Sequence, residues 1–132
     1  MKLQNGYIQI YTGNGKGKTT AALGQALRAV GRECKVYMVQ FLKSFETGEL
    51  LAAPRLEPFF KIFRFKKKRN FFWRLNDDEK AELKQEIDQA VEFVKGMGRR
   101  NEGDILILDE ILGAMRNGLV ELDGLRGVLS MK

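Results

Sequence analysis

Gly13-Asn14-Gly15-Lys16-Gly17-Lys18-Thr19-Thr20 sets three glycines at alternate positions directly before a Lys-Thr pair. On its N-terminal side, Gly6 to Tyr11 carries Tyr7, Ile8, Ile10 and Tyr11, a β-branched and aromatic run that predicts a short strand. On its C-terminal side, Lys18 to Val30 puts Leu23, Leu27 and Val30 on one helical face, with Gly31 as a natural stop. Strand, glycine loop and helix in that order are the layout of a phosphate-binding loop. The general pattern is Gly, four residues, then Gly-Lys-Ser/Thr. Gly17-Lys18-Thr19 supplies its second half, while Thr12 stands where the first glycine belongs, so the loop is a variant of the pattern.

The chemistry asked of such a loop is met by the residues present. Gly13, Gly15 and Gly17 let the backbone turn its N–H groups toward phosphate oxygens without a side chain in the way. Lys18 adds a positive charge, and the N-terminus of the following helix adds its dipole. Thr19 offers a hydroxyl to a magnesium ion carried on the phosphates. The competing account is a glycine-rich turn with incidental lysines, since Gly-Lys-Thr alone is a weak signal. Against it stands Asp104 to Asp109 (Asp-Ile-Leu-Ile-Leu-Asp), the strongest buried-strand pattern in the chain, followed by Glu110. A buried parallel strand would deliver Asp109 and Glu110 at its C-terminal end, where ligands bind in such sheets. Asp109 and Glu110 are thus candidate magnesium-site residues beside Thr19.

Further strands are expected at Lys35 to Phe41, an apolar run, and at Lys61 to Phe65, where residues alternate. Between them Lys43 to Pro58 holds two prolines and Gly48 and reads as irregular or as a broken helix. Asn76 opens a long helix: it can cap, Glu79 completes a capping box, and Asp77 and Asp78 suit the dipole. Leu83, Ile87, Ala90, Val91 and Val94 form its buried stripe. Short helices are expected around Ile111 to Arg116 and Glu121 to Leu129. Strands alternating with helices predict an α/β fold with a mainly parallel sheet. Together with the loop, this is a three-layer P-loop NTPase-like (RecA-like) arrangement in a single domain, residues 1–132.

Composition narrows the function. The 132 residues suit one core. One cysteine, Cys34, excludes an internal disulfide framework and favours a reducing compartment. No apolar run reaches membrane-span length and no signal peptide opens the chain, so the expected location is cytoplasmic. There is no histidine, which removes histidine bases and histidine metal ligands. The net charge is +6, and Lys61, Arg64, Lys66, Lys67, Lys68, Arg69 and Arg74 lie in one stretch with no acid among them. Such a patch attracts anions. Interleaved with aromatic rings it also allows a single-stranded nucleic-acid binder, though no complete nucleic-acid motif accompanies it. A phosphotransferase acting on a small acceptor is the other alternative.

Tyr11 to Ala22 resembles the opening of the ATP:corrinoid adenosyltransferases, and three further blocks follow in that family's order. Val39-Gln40-Phe41-Leu42-Lys43 with Gly48-Glu49 is similar to its second-strand signature, Phe71-Phe72-Trp73 to its Phe-x-Trp substrate motif, and Leu108-Asp109-Glu110-Ile111 to its acidic strand end. The resemblance implies transfer of the 5′-deoxyadenosyl group of ATP to the cobalt(I) of a corrinoid such as cobalamin, with release of triphosphate. It implies that Gly13, Asn14, Gly15, Lys16, Gly17, Lys18, Thr19 and Thr20 hold ATP, with Arg28 as a further phosphate contact. It implies catalytic roles for Lys18, Thr19 and Glu110, and corrinoid contact by Phe71 and Trp73. From the residues alone, Phe71, Phe72 and Trp73 read as core side chains at the start of a helix. Magnesium, or manganese in its place, a flavin-type reductase and a homodimer are also implied. The family pattern continues with a Thr-Gly-Arg strand that this sequence lacks, so the sheet is expected to be incomplete on its C-terminal side.

Overall fold

A computed structural model of the chain describes residues 6–13, 15, 17–67 and 72–130. Helix α1 (Lys18–Val30) leads into strand β1 (Val36–Gln40), a short helix α2 (Gly48–Ala52) and a 3-10 turn (Ala53–Leu56). Strand β2 (Phe60–Arg64) follows, then a 3-10 turn (Phe72–Arg74) and the long helix α3 (Asp77–Arg99). Strand β3 (Ile105–Asp109) and helices α4 (Ile111–Arg116) and α5 (Leu122–Leu129) complete the order. The three strands form one parallel sheet, β2-β1-β3.

Strand β1 is central because its side chains can be buried on both faces. Val36 and Met38 turn toward Ala26 of α1, with Phe60, Ile62, Ile105 and Ile107 in the same cluster. Val39 and Phe41 turn the other way, onto Leu83, Ile87, Ala90, Val91 and Val94 of α3 and onto α4 and α5. The period-two alternation therefore splits one strand between two cores, and helices cover both faces of the sheet. Helix α3 starts as its sequence demands. Asn76 accepts a hydrogen bond from the Glu79 amide at 2.8 Å, and the Glu79 carboxylate accepts one from the Asn76 amide at 3.2 Å. An N-cap of this kind stabilises a helix by about 1 kcal/mol.

Two expectations are corrected. Residues 6–12 form no strand, and Tyr7, Ile8, Ile10 and Tyr11 are exposed. Strand propensity alone does not hold a segment extended; a ladder partner is needed, and among the described residues the sheet stops at β3. Strand β3 is consequently an edge and not a fully buried strand. Leu106 is 37% exposed, and only Asp109 of its five residues is buried. Its apolar run reflects two faces that helices could cover, which says nothing about the neighbour on its open edge.

Candidate functional site

Parallel strands in register place their last residues side by side. Gln40 of β1 is paired in register with Arg64 of β2 and with Asp109 of β3. The C-terminal rim of the sheet is thus a polar row of amide, guanidinium and carboxylate. Gln40 is the hub, 1% exposed. Its Nε2 donates to Asp109 Oδ2 and to Glu49 Oε2, both at 3.1 Å, and its Oε1 accepts from Arg64 Nε at 2.7 Å. Since Oε1 is fixed by Arg64, the amide must turn its donors toward the two carboxylates. Arg64 also donates to the Phe45 carbonyl at 2.6 Å and to Thr47 Oγ1 at 2.9 Å, which ties down the loop leading into α2.

The glycine loop reaches this rim through Thr19. Gly13, Gly15 and Gly17 have φ of 126°, 58° and 70°, a left-handed run that L side chains rarely adopt. Gly17 is the N-cap of α1, so the loop delivers Lys18 and Thr19 as its first helical residues. Thr19 Oγ1 donates to Asp109 Oδ1 at 2.8 Å, a link across 90 residues of sequence. The Lys18 ammonium donates to the Gly13 carbonyl inside the loop.

Lys43 closes the arrangement. Its Nζ donates to Asp109 Oδ2 at 2.9 Å and to Thr19 Oγ1 at 3.0 Å, and lies 3.5 Å from Glu49 Oε2. Burial alone would raise the Glu49 carboxyl. Hydrogen bonds from its own backbone amide, Gln40 and Thr47, with the charge of Lys43, bring it below the ordinary range instead. Glu110 goes the other way. Partial desolvation, then the adjacent Asp109 charge, raise it against the pull of Lys43, Lys18 and Lys66. Glu110 is also strained, with φ of 65° as the N-cap of α4. Non-glycine residues held in that region cluster at functional sites.

The structure therefore brings Gly13, Gly15, Gly17, Lys18, Thr19, Thr20, Asp109 and Glu110 to one end of the sheet. Arg28 lies in the last turn of α1, ten residues and about 15 Å of helical rise from Lys18, and is not brought to the loop. Trp73 is 74% exposed, which removes the reading of it as a core side chain. Asn14, Lys16 and Phe71 lie outside the described residues, as do Lys68 and Arg69 of the basic stretch. What the sequence reading missed is the network of Gln40, Lys43, Glu49 and Arg64. Its signal was a polar residue ending an apolar strand, Gln40 after Val36 to Val39, at a position whose partners depend on register. Arg64, counted in the basic patch, is spent on internal contacts. Acids from α3 meet the same patch, since Lys67 Nζ lies 3.6 Å from Glu82 and its amide donates to Glu86.

Comparison with known proteins identifies the family. The chain is 31% identical over 126 residues to a corrinoid adenosyltransferase of Pseudomonas aeruginosa, covering 91% of this chain and 58% of that protein. It is 62% identical over 47 residues to the corrinoid adenosyltransferase of Escherichia coli strain K12, 35% of this chain and 24% of that one. With corrinoid adenosyltransferase CobA of Salmonella typhimurium it shares 60% over 47 residues, again 35% and 24%. The chain thus spans little more than half the length of the first of these relatives. Residues 4–132 match the family described as ATP:corrinoid adenosyltransferase BtuR/CobO/CobP, nearly the whole sequence, and the chain belongs to that family.

Proposed function

We propose that the chain adopts a P-loop NTPase-like fold, binds ATP with its triphosphate in the loop from Gly13 to Thr20, and passes the 5′-deoxyadenosyl group to the cobalt(I) of a corrinoid. One observation carries the reading. A left-handed glycine run opens α1 and presents Thr19 within 2.8 Å of Asp109 at the end of β3. Family membership supplies the reaction class.

In that reaction cobalt(I) donates an electron pair to the 5′ carbon of ATP. The bond from that carbon to the α-phosphate oxygen breaks, and triphosphate leaves with the bonding pair. No proton moves, so a chain without histidine is chemically adequate. The protein's work is to align the reactants and to stabilise a highly charged leaving group. The loop amides, Lys18 and the α1 dipole supply positive potential for it. The oxygens of Thr19 and Asp109 are hard donors converging on one point, and the Lys43 ammonium already stands there as a cation. That donor set fits magnesium, which Thr19, Asp109 and Glu110 would hold and which would neutralise phosphate charge. Exposed Trp73, with Phe71, is assigned to the corrinoid. A homodimer, a flavin-type reductase as electron source and a cytoplasmic setting belong to the same proposal. Among the described residues no helix is long and apolar enough to cross a membrane.

The test is incubation with ATP, magnesium and chemically reduced cobalamin. Light-sensitive adenosylated corrinoid and inorganic triphosphate in equal amounts are expected. ADP as the nucleotide product would replace the reading with a phosphotransferase.

A further inference from the structure

Lys43 stands in a position that the functional reading leaves unexplained. Its Nζ lies within 3.0 Å of both Thr19 Oγ1 and Asp109 Oδ2, and Glu49 Oε2 is 3.5 Å away. A divalent ion on Thr19 and Asp109 needs oxygens at about 2.0–2.1 Å and would meet the ammonium head-on. The two cations therefore exclude one another. Without Lys43, the carboxylates of Asp109 and Glu49 would face each other across Gln40 with no positive charge shown between them. The side chain leaves the bend just after β1, on the rim that also carries Thr19.

We infer that Lys43 is a tethered cation that keeps Thr19 and Asp109 assembled in the nucleotide-free chain, gives way to the divalent ion, and turns its ammonium to the incoming phosphates. This rests on the ATP-binding reading above and adds an order to it. Metal loading ahead of nucleotide is disfavoured, because the displaced ammonium would keep Glu49 alone, whereas phosphate oxygens replace the acceptors it gives up at Thr19 and Asp109. The device would keep the carboxylate rim neutralised between turnovers and couple metal entry to substrate entry.

The experiment counts bound Mn2+ by electron paramagnetic resonance, with and without ATP, for the wild-type chain, Lys43→Met and Lys43→Arg. Melting temperatures with and without Mg2+ are recorded in parallel. Wild type is expected to bind Mn2+ at least about tenfold more tightly with ATP than without, and to show no Mg2+ effect on melting in its absence. Lys43→Met should gain about tenfold in Mn2+ affinity without ATP and should be stabilised by Mg2+ alone, while Lys43→Arg should resemble wild type. Equal Mn2+ affinity with and without ATP, in a wild-type chain that does bind ATP, overturns the inference, and that arm needs no variant. No gain in Lys43→Met overturns it too. A gain in Lys43→Met from a chain that binds no ATP would leave the tethered cation standing and remove the ATP reading. ATP binding by both proteins without the gain would do the reverse.

Discussion

Gln40→Leu tests the rim of the sheet without touching a proposed ligand contact. The side chain is 1% exposed and makes three hydrogen bonds, to Asp109, to Glu49 and from Arg64. Leucine fills a similar volume and makes none of them. Asp109 Oδ2 keeps Lys43 at 2.9 Å, and Glu49 keeps it at 3.5 Å, so neither carboxylate is orphaned. Arg64 keeps Phe45 and Thr47 but loses the partner of its Nε. Each lost bond to a partner that stays partly satisfied is worth about 1 kcal/mol, giving about 3 kcal/mol in all. For a chain of this size that lowers the melting temperature by roughly 10 °C. Urea denaturation of wild type, Gln40→Leu, Arg64→Leu and the double variant measures the term, and the double variant should cost about 1 kcal/mol less than the sum. Gln40→Glu sharpens the result. The introduced carboxylate would keep Arg64 on one oxygen and face Asp109 and Glu49 with the other, so the variant should be less stable than wild type at neutral pH. A loss below about 0.5 kcal/mol for Gln40→Leu, with strict additivity, would refute the network as a structural element.

Trp73→Ala should leave melting and ATP binding unchanged and slow adenosylation, because the side chain is 74% exposed; a fall in melting temperature would return it to the core. Glu110→Gln should raise the melting temperature at about pH 7 and leave it unchanged at about pH 4. Its raised carboxyl gives full stability below the unfolded pKa and loses it as pH rises through the folded value, and equal effects at both pH values would contradict this. Gly103→Ala should cost about 2–4 kcal/mol, since φ is 80° and the new Cβ would meet the Tyr37 ring at 2.8 Å. Gly118→Ala, at φ 73° with nothing within 4 Å, should cost only about 1 kcal/mol; equal melting shifts would remove the ring contact from the account.

Local rules carried the helices well. Helix α1 is bounded by its glycines, and α3 by a capping box legible in Asn76 and Glu79. The broken helix over residues 48–56 followed from Gly48 and Pro54. Non-local pairing was the part the sequence hid. The exposed run from Tyr7 to Tyr11 has the composition of a strand and, among the described residues, no strand beside it. The Ile-Leu-Ile-Leu run of β3 reads as doubly buried, yet among the described residues it lies at an edge. The site divides along the same line. Gly13, Gly15, Gly17, Lys18, Thr19 and Asp109 are legible because loop, helix start and strand end each carry a local signature. Gln40, Lys43 and Arg64 acquire their roles only when three strands finish in register. A lysine after a strand and an arginine in a basic stretch otherwise look like solvated charges.

Calorimetric titration of ATP into the wild-type chain and Lys18→Ala, with magnesium present, tests the central claim most directly. Lys18 is exposed and, among the described residues, its ammonium donates to the loop's own Gly13 carbonyl, so its removal should leave melting nearly unchanged. Removing its charge from the triphosphate should weaken binding by about a hundredfold or more. Equal affinity in the two proteins, with both folded, would contradict the assignment of the glycine loop as the triphosphate site.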